Sequence, residues 1–186
     1  MAAKNSGDGN AASDKDLVAR IAKSDKLAMK ELYERHYKPL FAFLRGRGAD
    51  PATAQDTAQD TMLEVWRSAE RYSGQAQVKT WMFTIARNKL VDRHRRSARV
   101  TLMDEVPDSV DDSPDPEALT IAARDAERLR SCLGKLKAAH RLVIRMAFYE
   151  DLTYQEIAEI EGVPAGTVKT RIFHAKKLLL HCLGQR

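Results

Sequence analysis

Two stretches of this chain concentrate positive charge. Residues 87–99 hold six Lys/Arg against one acid, Asp92, and residues 162–186 hold five Lys/Arg and no Asp/Glu. Fixed cations without neighbouring carboxylates are poor acid–base catalysts and good phosphate neutralisers. The residue types that do covalent or proton-transfer work are present but unorganised. His36, His94, His140, His174 and His181 are scattered, and no P-loop, G-x-S-x-G or HExxH pattern occurs. Cys132 and Cys182 lie far apart with no C-x-x-C or Cys/His ladder, so they read as two plain thiols, with no zinc site and no disulfide framework. The expectation is binding without catalysis, and without metal, cofactor or small-molecule substrate.

The elements that must carry these charges are helical. Apolar residues recur at helical spacing over about 16–23, 24–45, 51–72, 79–98, 117–133, 137–149, 154–161 and 166–183, and no stretch alternates with period two. Ser24 is a candidate cap for the second helix, Pro39 a candidate kink within it, and Gly46 and Gly48 its stop. An all-α fold follows. No apolar run approaches the ~20 residues of a membrane span and the polar N-terminus is no secretion signal, so membrane insertion is not expected and the cytoplasm is the default location.

The last two helices are separated only by Gly162, Val163, Pro164 and Ala165. Thr153 and Glu156 form a capping-box pair at the start of the first, and Ile157, Ala158 and Ile160 supply its buried side. Gly162 suits the left-handed conformation that ends a helix, and Pro164 prevents continuation through it. In the second, Val168, Ile172, Ala175 and Leu179 share one face. Opposite lie Thr170, Phe173, His174 and Lys177, flanked by Lys169 and Lys176 on one side and Arg171 on the other. A helix–short turn–helix presenting an acid-free second helix fits the major groove of duplex DNA.

Charge also divides the chain. Residues 100–117 hold seven Asp/Glu, no Lys/Arg, and prolines at 107, 114 and 116, a composition that cannot bury enough surface to order itself. The expected organisation is a disordered tail over 1–13, a helical domain over 14–99, an acidic linker over 100–117 and a second helical domain over 118–183.

The segment "DLTYQEIAEIEGVPAGTVKTRIFHAKKLL" closely resembles region 4 of bacterial sigma factors, especially the extracytoplasmic-function (ECF) group, of which "GTVKTRI" is nearly a signature. Independently, "DPATAQDTAQDTMLEVW" looks like region 2.2 and "KTWMFTIARNKLVDRHRR" like regions 2.3–2.4. The resemblance covers about residues 14–183, with both blocks in order across the linker. It implies an alternative sigma factor that binds core RNA polymerase and directs promoter-specific initiation, usually restrained by an anti-sigma factor.

The resemblance also implies site residues. Thr167, Lys169, Thr170, Arg171, Phe173, His174, Lys176 and Lys177 would contact the duplex −35 element. Tyr72, Ser73, Gly74 and Gln75 of the polar loop, with Trp81, Arg87, Asn88, Asp92, Arg93, Arg95 and Arg96 of the helix after it, would capture the melted non-template −10 strand. The outer face of the 51–72 helix, with Asp56, Gln59, Asp60, Leu63 and Glu64, would grip the polymerase. The acidic linker would either cross the polymerase's nucleic-acid channel or serve as a plain tether. Three departures from the family pattern stand out: His174 and Lys169 occupy positions where arginine is common, Ala165 offers no side-chain cap, and "LKAAHR" replaces a Leu-Pro helix start. The nearest competing reading is a helix-turn-helix repressor or activator that binds duplex operator without polymerase.

Overall fold

The computed structural model describes residues 12–100 and 121–184, with the side chains of 97–100 and 121–123 left out. The expected N-terminal tail lies almost wholly outside the described residues, as does nearly all of the acidic linker. Eight α-helices and one 3-10 turn make up the regular structure of the described residues, in which no strand occurs.

Five elements form the first half. Helix α1 (Asp14–Ile21) starts at Ser13, whose hydroxyl and backbone N–H both bond to Asp16 in a capping box. Helix α2 (Lys26–Gly46) is capped by Asp25, which accepts from the backbone N–H groups of Leu27 and Ala28. The expected cap, Ser24, instead takes a positive φ of 64° in the turn before it. The helix runs through Pro39 and ends at Gly46, and Gly48 at φ 86° turns the chain away. Helix α3 (Pro51–Ser68) has Asp50 as its cap and Pro51 in its first turn, and a 3-10 turn (Ala69–Arg71) extends it. Helix α4 (Val78–Val100) closes this half.

The second half contains α5 (Ile121–Gly134), α6 (Ala138–Phe148), α7 (Tyr154–Glu161) and α8 (Ala165–Gly184). Thr153 and Glu156 make the reciprocal bonds expected of a capping box, and Gly162 ends α7 in the left-handed conformation at φ 64°. Val168, Ile172 and Ala175 of α8 are buried against α6 and α7, with Leu179 half-buried.

The buried apolar residues of both halves join into one continuous cluster. Phe43 and Phe83 stack at 4.7 Å inside the first half, and Val143, Met146, Ile157, Ile160 and Val168 fill the second. Between them, α4 packs on α7 and α2 meets α6. The two helical domains are therefore docked on each other. Part of α4 is covered, but Arg95 and Arg96 toward its end and the outer face of α8 stay open.

Two further long-range ties were not expected. Cys132 of α5 and Cys182 of α8 are disulfide-bonded, with Cα atoms 5.9 Å apart. This corrects the expectation of two plain thiols. Sequence spacing hides the pairing because it depends on α5 lying back along the end of α8. In the first half, Asp14 ties α1 to α2 by accepting from Arg35 Nη1 at 3.0 Å and lying 2.6 Å from His36 Nε2.

Candidate nucleic-acid and polymerase interfaces

Helix α8 presents its polar face outward. Lys169, Thr170, His174, Lys176 and Lys177 are exposed, Phe173 is 65% exposed, and Arg171 and Thr167 are half-buried at the edges. Thr170 donates to the Gly166 carbonyl at 3.0 Å, so its hydroxyl also steadies the first turn. Lys176 lies over the Phe148 ring, 4.9 Å from its centroid. His174 sits between the Phe173 ring, edge-on at 5.6 Å, and the His140 ring at 6.5 Å. Burial, then the charges of His174, Lys137 and Arg171, holds the His140 imidazole below its ordinary value. The face is thus one flat ring and one imidazole set among fixed cations, with no acid on the helix. It can neutralise phosphates and touch base edges at once.

The polar loop before α4 is pinned at both ends. Tyr72 packs on Trp81 with ring centroids 4.8 Å apart and donates its hydroxyl to the Ala76 carbonyl. Gly74 turns the chain at φ 73°, and Lys15 donates to its carbonyl at 3.3 Å. Ser73 and Gln75 are left exposed. Trp81 is half-buried and packs against the core. The loop thus lies over an aromatic pair packed on the core, with two polar side chains left to solvent.

Along α4 the expected strand-contacting residues divide into three groups. Asn88, Asp92, Arg95 and Arg96 are exposed. Arg93 turns toward α3, bonding Asp60 at 2.6 Å and lying 3.6 Å from Asp56. Arg87 is half-buried against the turn of the helix-turn-helix, where a Cβ on Gly162 would come within 3.4 Å of its guanidinium.

The outer face of α3 keeps Asp56, Gln59 and Leu63 exposed, Leu63 at 53%, while Asp60 and Glu64 are half-buried. Its acids are partly neutralised from within: Arg93 meets Asp56 and Asp60, and Lys89 meets Glu64 at 3.4 Å. Leu63 borders an apolar groove between α2 and α3 whose walls include Met29, Tyr33, Met62 and Trp66. That groove was missed in the sequence. The paired spacings Met29–Tyr33 and Met62–Trp66, each i to i+4, were the available signal.

The junction between the halves was also missed. Lys79 Nζ meets Glu150 Oε2 at 2.7 Å and donates to the Glu150 carbonyl at 2.9 Å. Thr80 donates to Glu156 Oε1 at 3.3 Å. Arg47 of α2 pairs with Glu161 of α7. Among the described residues no group of three or more His, Cys, Asp or Glu is placed to hold a metal ion, and no helix is long and apolar enough to cross a membrane.

The chain matches the family model for sigma-70 region 2 over residues 32–100 and that for sigma-70 region 4 over residues 126–179. It is 34% identical over 167 residues to the ECF RNA polymerase sigma factor SigL of Mycobacterium tuberculosis, covering 87% of this chain and 92% of that one. This chain belongs to the ECF RNA polymerase sigma factors. Cereibacter sphaeroides RpoE, another of them, is 35% identical over 151 residues, covering 80% of this sigma factor and 82% of the relative. The solved structure of CnrH in complex with the cytosolic domain of CnrY aligns with a TM-score of 0.61 at 26% identity, over 92% of this chain and 97% of that one. The fold is shared as well by RpoE of Bartonella quintana, solved with the anti-sigma factor NepR, with a TM-score of 0.62, 24% identity and coverage of 84% and 96%. As a sigma factor, the protein supplies promoter specificity to bacterial RNA polymerase, so core polymerase and promoter DNA are its partners.

Proposed function

We propose that this sigma factor divides promoter recognition between its two domains, taken as residues 14–99 and 118–183 and joined by the acidic linker. Helix α8 would enter the major groove of the −35 element with Thr170, Phe173, His174 and Lys177 toward the bases. Thr167, Lys169, Arg171 and Lys176 would meet the flanking phosphates. The loop of Tyr72, Ser73, Gly74 and Gln75 would receive an unstacked −10 base against Trp81. Asn88, Asp92, Arg95 and Arg96 would follow the non-template strand, joined by Arg87 and Arg93 once their present partners release them. The α3 face of Asp56, Gln59, Asp60, Leu63 and Glu64, with its apolar groove, would dock on the polymerase.

No bond is made or broken in this scheme. Strand opening draws on binding free energy, since unstacking costs a few kcal/mol per step and stacking with phosphate contacts offsets it. The protein would act in the cytoplasm, restrained by an anti-sigma factor; CnrH, solved with the cytosolic domain of CnrY, supports a protein partner of this kind. The observation that supports the reading is the order of parts: an α3 face with acids and an exposed leucine, a polar loop over an aromatic pair and a helix with a basic end in one domain, then an acid-free exposed helix face in the next. Run-off transcription tests it. Core polymerase supplied with this chain should initiate on a subset of a promoter library. Tight duplex binding by the chain alone, with no stimulated initiation on any template, would assign it to the repressors instead.

A further inference from the structure

The disulfide between Cys132 and Cys182 joins α5 to the end of α8 across 50 residues of sequence. Its two sides are not equally accessible: Cys132 is 3% exposed, whereas Cys182 is half-buried. Both cysteines line a shallow cleft with Arg124, Glu127, Arg128, Ser131 and Lys135. Three cations there face one carboxylate, and that carboxylate is met by Arg130 at 3.0 Å.

We propose that this cleft is a thiol–disulfide exchange site for a small anionic thiol of the glutathione class, which attacks at Cys182. A cationic cleft concentrates an anionic reagent and favours the thiolate, which is the attacking species. The leaving sulfur develops its negative charge beside the same cations. The attacking thiolate bonds to Cys182 Sγ as the bond to Cys132 Sγ breaks, and Cys132 leaves as a thiolate that takes a proton from water. A second thiolate then attacks the mixed disulfide and releases Cys182. Two small thiols are oxidised to one disulfide while the protein's disulfide is reduced to two thiols.

The exchange would alter one end of the recognition helix. Helix α5 packs on α8 and is tied there by the disulfide and by Arg128 Nη2, which donates to the Leu183 carbonyl at 2.7 Å. Reduction removes the covalent tie and leaves the DNA-facing turns of α8 untouched. The proposal is independent of the promoter reading, because its test measures sulfur chemistry alone.

The test uses the full-length protein purified without reductant and three thiols of different charge: 2-mercaptoethanesulfonate, 2-mercaptoethanol and cysteamine. Protein thiols released are counted by alkylation and mass spectrometry, with rates expressed per thiolate. At low salt the sulfonate should react about tenfold faster than cysteamine, the neutral thiol falling between. The gap should narrow at high salt and vanish in guanidinium. Quenched intermediates should carry the small thiol on Cys182. The exposed pair Arg124→Glu and Lys135→Glu should remove the preference without changing the melting temperature. Equal rates for the three thiols, attack at Cys132, or purified protein whose two thiols diamide fails to link would each overturn the proposal.

Discussion

Arg47 of α2 and Glu161 of α7 lie 114 residues apart and form an ion pair in the junction between the two domains, their side chains only 15% and 10% exposed. Burial lowers the Arg47 pKa from its ordinary value, Glu161 opposes that shift and the nearby Arg87 adds to it. The neighbouring contacts, Lys79 with Glu150 and Thr80 with Glu156, are also between unlike polar groups. The junction therefore has a polar pattern that depends on both partners being present.

Breaking one side should cost more than removing the pair. Arg47→Leu strands the Glu161 carboxylate and should weaken docking by about 3–5 kcal/mol, while adding Glu161→Leu should recover much of that. Energy transfer between labels on α3 and α8 reads the separation. If the single and double variants hold the domains together equally well, the ion pair is not what sets their alignment.

On α8, two substitutions should separate phosphate contact from base contact. Lys169→Ala should weaken binding to every −35 duplex and lower the salt slope by about 1. Phe173→Ala should cost about 1–3 kcal/mol on the preferred sequence and relax selectivity at one base pair or two. Holoenzyme binding to a panel of single-base −35 variants, measured at several salt concentrations, checks both.

Leu63 should matter to assembly and little to stability. Being 53% exposed at the rim of the α2–α3 groove, Leu63→Asp should cost roughly 2 kcal/mol or more in affinity for core polymerase. The melting temperature should stay within a degree or so of the parent, as surface changes usually do. Co-migration with core enzyme on a gel-filtration column gives the comparison.

Acid should loosen the second domain. The folded state holds the His140 pKa below its ordinary value, chiefly by burial, so the unfolded chain binds that proton more readily. The stability linked to this group is present above about pH 6.5 and is lost as pH falls below it. Thermal melts at pH 7.5, 6.5 and 5.5 should show the decline, and His140→Gln should flatten it.

The disulfide should stabilise the same domain by constraining its unfolded chain. For a closed loop of this length, chain entropy alone gives roughly 4 kcal/mol. Cys132→Ser should therefore lower the second domain's melting temperature, and reductant should lower that of the parent but not of the variant. Coincident melts of parent and variant without reductant would show that the bridge contributes little.

Local signals were legible in the sequence and distant pairings were not. Helix α7 has the bounds expected from Thr153, Glu156 and Gly162, because a capping box and a left-handed glycine act within one turn. Ser24 was mistaken for a cap because Asp25 offers the same chemistry one residue later and accepts two backbone N–H groups. The burial of Val168, Ile172 and Ala175 follows from 3.6-residue periodicity. Arg93 with Asp60, and Cys132 with Cys182, are separated by 33 and 50 residues. No periodicity within one helix can report such meetings, which depend on how helices cross. The exposed residues of α8 and α3 were readable because charge and solvent access follow the same pattern.

The docking of α7 on α4 has a consequence for reach. The −35 and −10 elements are about 25 base pairs apart, roughly 85 Å of duplex, whereas here the helix-turn-helix touches the helix proposed to take the opened strand. A molecule folded this way can sample either element but cannot straddle both. Twenty residues separate α4 from α5, and at full stretch they extend up to about 70 Å, enough with the domains' own width to bridge the gap. Shape alone would then give the protein separate searching and committed forms, with the salt links around Arg47 as the latch between them.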